Sequence, residues 1–254
     1  PLHDALPIYQ EVLQRVPALA ETLAASDGDA RLSQERHGAI RLGKAEELAS
    51  MRLAFGVMGM HPVGYYDLSV AGIPVHSTAF RPLAHGALAT NPFRVFTSLL
   101  RLDLIEDTSL RAQAEATLSK RQIFTPQALH LIEQAETAGG LCEQDAEVFV
   151  TQLLETFRWH SEARVDERLF ERLLQTHRLI ADVVSFRGPH INHLTPRVLD
   201  IDAAQDAMSA YGITPKAVVE GPPPRDCPIL LRQTSFKALN EAIRFRDAQG
   251  GWTP

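Results

Sequence analysis

Ten histidines are the side chains best suited to chemistry in this sequence, and two of them sit in similar settings. His37 lies in Glu35–Gly43 (ERHGAIRLG) and His193 in Gly188–Arg197 (GPHINHLTPR), 156 positions apart. Both segments are short, alternate in polarity and contain an arginine. Strands that meet in a sheet can each present one inward ligand from distant parts of a chain. Imidazole suits first-row metals, and two histidines with one carboxylate on a face leave positions open for substrate and oxygen. The same spacing equally describes ordinary polar residues at strand ends, and both readings stand on the residues alone.

Arg41 follows His37 by four positions, which an extended chain places on the same face. Its guanidinium could hold a substrate carboxylate through two parallel hydrogen bonds, a geometry lysine cannot match. A surface ion pair is the plain alternative. His190 precedes His193 by three, so in a strand it would face the other way and make a poor ligand. His61, His76 and His85 fall in or near a hairpin and its loops, as structural or exposed groups. His130, His160 and His177 map to polar helix faces and receive no role.

Other reaction classes find no support. Gly56-Val57-Met58-Gly59 lacks the Lys-Ser/Thr of a phosphate-binding loop, and no Gly-x-Gly-x-x-Gly occurs. No Gly-x-Ser-x-Gly nucleophile turn occurs either. Neither Cys142 nor Cys227 has a local pattern that would activate a thiol.

The elements that must position these residues follow from composition and periodicity. With 45% hydrophobic and 22% charged residues, the chain is neither disordered nor collagen-like nor a coiled coil. At 254 residues it could form one large domain or two small ones. Its 25 basic and 31 acidic residues give a net charge of −6, leaving no basic face for nucleic acid. No apolar run approaches the roughly 20 residues that span a bilayer. Two cysteines fit a reduced, cytoplasmic setting. The opening Pro1–Ile8 lacks helical or strand spacing and reads as a non-native scar; the close at Gly250–Pro254 reads as that of a fragment.

Residues 9–25 carry Val12, Val16, Leu19 and Leu23 at helical spacing. Glu35–Leu42 is a strand expectation with His37, Ala39 and Arg41 on one face, Ile40 and Leu42 on the other. Residues 44–60 read as a helix. Tyr65–Val70 and Val75–Phe80 read as a hairpin around Ala71–Pro74, and Arg94–Leu100 as a further strand. Helices follow at Thr108–Arg121, Thr125–Ala138 (capped by Thr125, with Pro126 first and Gly139-Gly140 as its stop), 143–158 and 166–184. Strand character returns at His190–Thr195. A short helix near 202–211, a stiff loop at Gly221–Pro224 and a strand at Ile229–Phe236 complete the pattern. The order predicts an α+β fold in one body over 9–254: β-rich at 35–100 and 188–245, with a helical insertion at 103–187.

Five stretches together resemble the 2-oxoadipate dioxygenase/decarboxylase family, also called 2-hydroxyglutarate synthase. They are Glu35–Gly43, Gly64–Pro82 (GYYDLSVAGIPVHSTAFRP), Asn91–Arg101 (NPFRVFTSLLR), Arg187–Asp202 (RGPHINHLTPRVLDID) and Gln233–Leu239 (QTSFKAL). The resemblance runs from about residue 10 to 247. It implies a vicinal-oxygen-chelate-like curled sheet with a large helical insertion, holding Fe(2+) through two histidines and a glutamate. By the same resemblance His37 and His193 are the histidine ligands, in contact with substrate, and Arg41 is a catalytic, substrate-binding arginine. The glutamate belongs to a segment after QTSFKAL and is expected beyond Pro254; Glu220 and Glu241 fit it poorly. The implied reaction takes a 2-oxo diacid and O2 to 2-hydroxyglutarate and CO2 in lysine breakdown. A chelate-fold isomerase or lyase and a non-catalytic acid-binding module are the competing readings.

Overall fold

The protein is described from a computed structural model over residues 5–24, 34–191, 194–196, 201–217, 237, 241–246 and 251–253. In chain order the elements are α1 (Ala5–Arg15), α2 (Pro17–Ala24), β1 (Arg36–Leu42), α3 (Ala45–Val57), β2 (His61–Asp67), β3 (Val75–Arg81), α4 (His85–Thr90), β4 (Phe93–Leu100) and α5 (Thr108–Ser119). They continue with α6 (Pro126–Ala138), α7 (Glu143–Phe157), α8 (Glu167–Thr176), α9 (Arg178–Ser185), β5 (Leu194–Pro196), α10 (Ile201–Met208), β6 (Phe245–Arg246) and β7 (Trp252–Thr253). This is the expected α+β composition, and the helical insertion is α5 to α9. Among the described residues no helix is long and apolar enough to cross a membrane.

Where one body over 9–254 is expected, the chain divides into two compact units. The first is Pro1–His37 with Thr195–Asn240; the second is Gly38–Leu194 with Glu241–Pro254. In the first unit α1 packs on α10, with Val12 of α1 buried and Ala204, Ala207 and Met208 of α10 forming a small apolar cluster. One helix is expected over 9–25; two form, because Pro17 lacks the N–H an uninterrupted helix requires. Val16, expected on the buried stripe, is exposed at this break. The α1 helix starts at Ala5, inside the opening stretch where no helical spacing is evident.

The main sheet has the order β2-β3-β4-β1-β5. β3 pairs antiparallel with both β2 and β4, in a register that sets Val75 opposite Leu100, Ser77 opposite Ser98 and Phe80 opposite Val95. Gly64 adopts φ +72 where the β2–β3 register slips between Val63 and Tyr66; a bulge of this kind commonly needs a residue tolerant of positive φ.

Sheet alternation determines what β1 offers. Ile40 and Leu42 are fully buried and join Phe80 and Val95 in one core with Met51 and Phe55 of α3, Ile132 of α6, and Phe149 and Leu153 of α7. Each such side chain contributes about 1.5–3 kcal/mol on burial. Arg36, His37, Ala39 and Arg41 are partly exposed and Gly38 is buried, so the opposite face of β1 is the expected polar one. A second core gathers Val75 and Leu100 with Leu110 and Leu118 of α5, Leu173 of α8, and Ile180 and Val184 of α9.

The local helix signals act as expected at α6. Thr125 accepts a hydrogen bond from the Ala128 N–H at 3.0 Å, Pro126 opens the helix, and Gly139 closes it at φ 75. The single helix expected over 166–184 is instead two. His177 takes extended backbone, donates its N–H to the Leu173 carbonyl and accepts the Leu179 N–H on Nδ1 at 3.1 Å. It thus ends α8 and caps α9, and does not ride on a polar helix face. The apolar stripe runs across this break because Leu173, Ile180 and Val184 still enter one core.

His190 is also corrected: it lies in an irregular segment before β5, not in a strand. Over 188–245 the described residues include β5, α10 and the first strand of the β6–β7 pair. The loop at Gly221–Pro224 and the strand at Ile229–Phe236 lie outside the described residues.

Candidate metal and substrate site

The polar side of β1 is where the candidate residues are found. His37 and Arg41 alternate to that side, and the ring nitrogen Nε2 of His37 is shielded from solvent. His193 lies outside the described residues. Among the described residues no cluster of three His, Cys, Asp or Glu side chains forms a metal site. Cys142 is exposed and free, while Cys227 lies outside the described residues.

In the second unit Arg41 shares its side of the sheet with alternate residues of the strands beyond. Val95 and Phe80 enter the same core as Ile40 and Leu42, so Phe96 and Ser98 of β4, and Ser77 of β3, project to the side of Arg41. There Ser77 and Ser98 hydrogen-bond through their hydroxyls at 2.8 Å, and the rings of Phe96 and Tyr66 lie 5.6 Å apart. Val75 and Leu100 project to the same side and enter the second core, so the two hydroxyls are buried beside it.

Helix α9 supplies a contact that local sequence does not reveal. The Arg41 guanidinium donates from Nη1 to Asp182 Oδ2 at 2.5 Å, with both side chains largely enclosed. The other carboxylate oxygen, Asp182 Oδ1, lies 3.6 Å from Nε2 of His190, an electrostatic contact longer than a hydrogen bond. The imidazole of His190 meets Trp159 edge-on at 4.7 Å and Phe186 at 6.3 Å. Arg41, Asp182, Val183, Gly188, Pro189 and His190 line a small recess. Gly188 is required there for space, because a Cβ would stand 2.9 Å from the Thr156 carbonyl oxygen. The plain alternative for Arg41, an ion pair, is therefore realised, although with a partly buried helix residue.

A second network braces this arrangement. Arg121 donates from Nε and Nη2 to the two oxygens of Glu47 at 2.8 and 2.6 Å, and both side chains are almost fully buried. The same guanidinium donates to the Val183 carbonyl at 2.5 Å, and Glu47 accepts the Gly43 N–H at 2.8 Å. Val183, next to Asp182, and Gly43, two residues after Arg41, are thereby tied to one ion pair. Neither Asp182 nor this pair is singled out by sequence spacing. The available signal for Asp182 is a lone carboxylate within the apolar run Leu179–Val184.

Burial holds the imidazole of His190 below its ordinary pKa, with Asp182 and a hydrogen bond involving the Gly188 backbone pulling the other way. His177 is displaced in the same direction, first by burial and then by Arg178. A lowered folded pKa means the unfolded chain binds the proton more readily. Stability is therefore full above the unfolded value of about 6.5 and declines as pH falls through the lower folded values. Urea midpoints are expected to drop between pH 7.5 and 5.5, with a smaller drop in His190→Gln.

The profile of the 2-oxoadipate dioxygenase/decarboxylase family matches residues 3–253. The chain is 62% identical over 243 residues to the 2-oxoadipate dioxygenase/decarboxylase of Pseudomonas putida, covering 96% of this chain and 52% of that protein. It thus spans about half the length of the curated relatives it matches. The crystal structure of hydroxyglutarate synthase from P. putida in complex with 2-oxoadipate superposes with a TM-score of 0.87 at 60% identity, over 99% of this chain and 57% of that one. A protein of the glyoxalase superfamily from Ralstonia eutropha shares the fold alone, with a TM-score of 0.66 at 22% identity over 98% of this chain and 77% of that one. With an α+β fold and a family match across nearly its whole length, the chain belongs to the 2-oxoadipate dioxygenase/decarboxylase family.

Proposed function

We propose that this chain forms the histidine- and arginine-bearing part of an Fe(II)-dependent enzyme that converts 2-oxoadipate and O2 to 2-hydroxyglutarate and CO2. The observation that carries the reading is the strand alternation that sets His37 and Arg41 on one side of β1. A solvent-shielded imidazole nitrogen on a strand fits a borderline-soft metal such as iron. On this reading His37 and His193 hold the metal together with a glutamate. Bound iron would supply O2 activation.

The protein's own residues do the rest. Arg41 binds a carboxylate of the diacid through guanidinium N–H groups beyond the one that Asp182 engages, and so favours diacids over monoacids. The rest of the reading follows from the family: cytoplasmic lysine breakdown, with a 2-oxo diacid and O2 as small-molecule partners.

Oxygen uptake decides the matter. The chain extended to the length of its relatives, loaded with Fe(II), is expected to consume one O2 for each 2-oxoadipate and each CO2 released. Continued turnover under argon would instead identify an isomerase or lyase, and no turnover in either gas would leave an acid-binding module.

A further inference from the structure

We propose that Asp182 is the positioning residue for Arg41, fixing the guanidinium so that the site distinguishes a dicarboxylate from a monocarboxylate; this rests on the functional reading above. Arg41 is a long side chain with several rotatable bonds, and an arginine that must meet a carboxylate loses affinity for every orientation it samples. Here its Nη1 is engaged by Asp182 Oδ2 at 2.5 Å. Asp182 is itself constrained. It sits on α9 between Ala181 and Val183, both buried, and the Val183 carbonyl is gripped by Arg121. Its second oxygen faces His190 at 3.6 Å, whose ring is held against Trp159. The carboxylate thus stands on a rigid helix and offers Arg41 one orientation. An ion pair at the surface with no further role would need neither the buried helix neighbours nor the packed imidazole.

A positioning residue acts through its partner, so the test is a double-mutant cycle. Binding of 2-oxoadipate and of 2-oxohexanoate, its monocarboxylate analogue, is measured by calorimetry on the Fe(II)-loaded, extended chain without O2. Asp182→Asn keeps the shape and removes the charge; it is expected to weaken 2-oxoadipate binding about tenfold and 2-oxohexanoate binding little. Asp182→Glu restores most of the affinity. In an Arg41→Ala background Asp182→Asn is expected to have no further effect. Asp107→Asn, which breaks the remote pair with Arg172, changes neither affinity. Equal losses for both acids, or losses that add across the cycle, overturn the proposal while leaving the functional reading in place. A wild-type protein that binds no 2-oxoadipate overturns both.

Discussion

Arg121→Met is expected to destabilise the protein by about 3–5 kcal/mol, because it leaves the Glu47 carboxylate buried without its cation. Both side chains are almost completely enclosed, at 1% and 3% exposure. Glu47 would keep only the Gly43 N–H, and the Val183 carbonyl would lose its charged donor. Glu47→Leu combined with Arg121→Met removes both charges and is expected to recover most of the loss, since a matched apolar pair can equal a buried ion pair. Urea unfolding of the three variants checks this; a double variant as weak as the single would mean the pair itself, and not the orphaned charge, sets the cost. Because Val183 adjoins Asp182 and Gly43 lies two residues after Arg41, the single variant is also expected to loosen the Arg41–Asp182 contact.

The second large effect concerns the metal. His37→Ala and His193→Ala are each expected to lower iron retention by more than about a hundredfold, since losing even an outer-shell partner of a ligand costs about 10–100-fold. His190→Ala is expected to retain iron, because its imidazole is committed to Asp182 and the Trp159 ring. Metal analysis after desalting of the extended chain gives the answer. Equal loss in all three would place the metal on the side of His190 and refute the ligand assignment.

What could be read from sequence was local. Thr125-Pro126 and Gly139 satisfy helix ends through neighbours in the chain, and the alternation of Glu35–Leu42 is a direct consequence of strand geometry, so both were legible. The break at His177 was not, because the apolar stripe continues through it and histidine is an uncommon cap. Pro17 was a stop signal present in the sequence, outweighed by an apolar spacing that ran past it. The Arg41–Asp182 and Glu47–Arg121 pairs join residues 141 and 74 positions apart. Such pairing depends on which helix crosses which strand, and no short window contains that information.

The alternation of β1 also bears on how the protein matures. Sliding this strand by a single residue would exchange its two faces, driving the Arg41 guanidinium among Met51, Phe55 and Phe149 and turning Ile40 to the polar side. Such a slip would forfeit the apolar core and the Arg41–Asp182 pair together. Correct register of the sheet and the placement of Arg41 beside Asp182 are therefore one event.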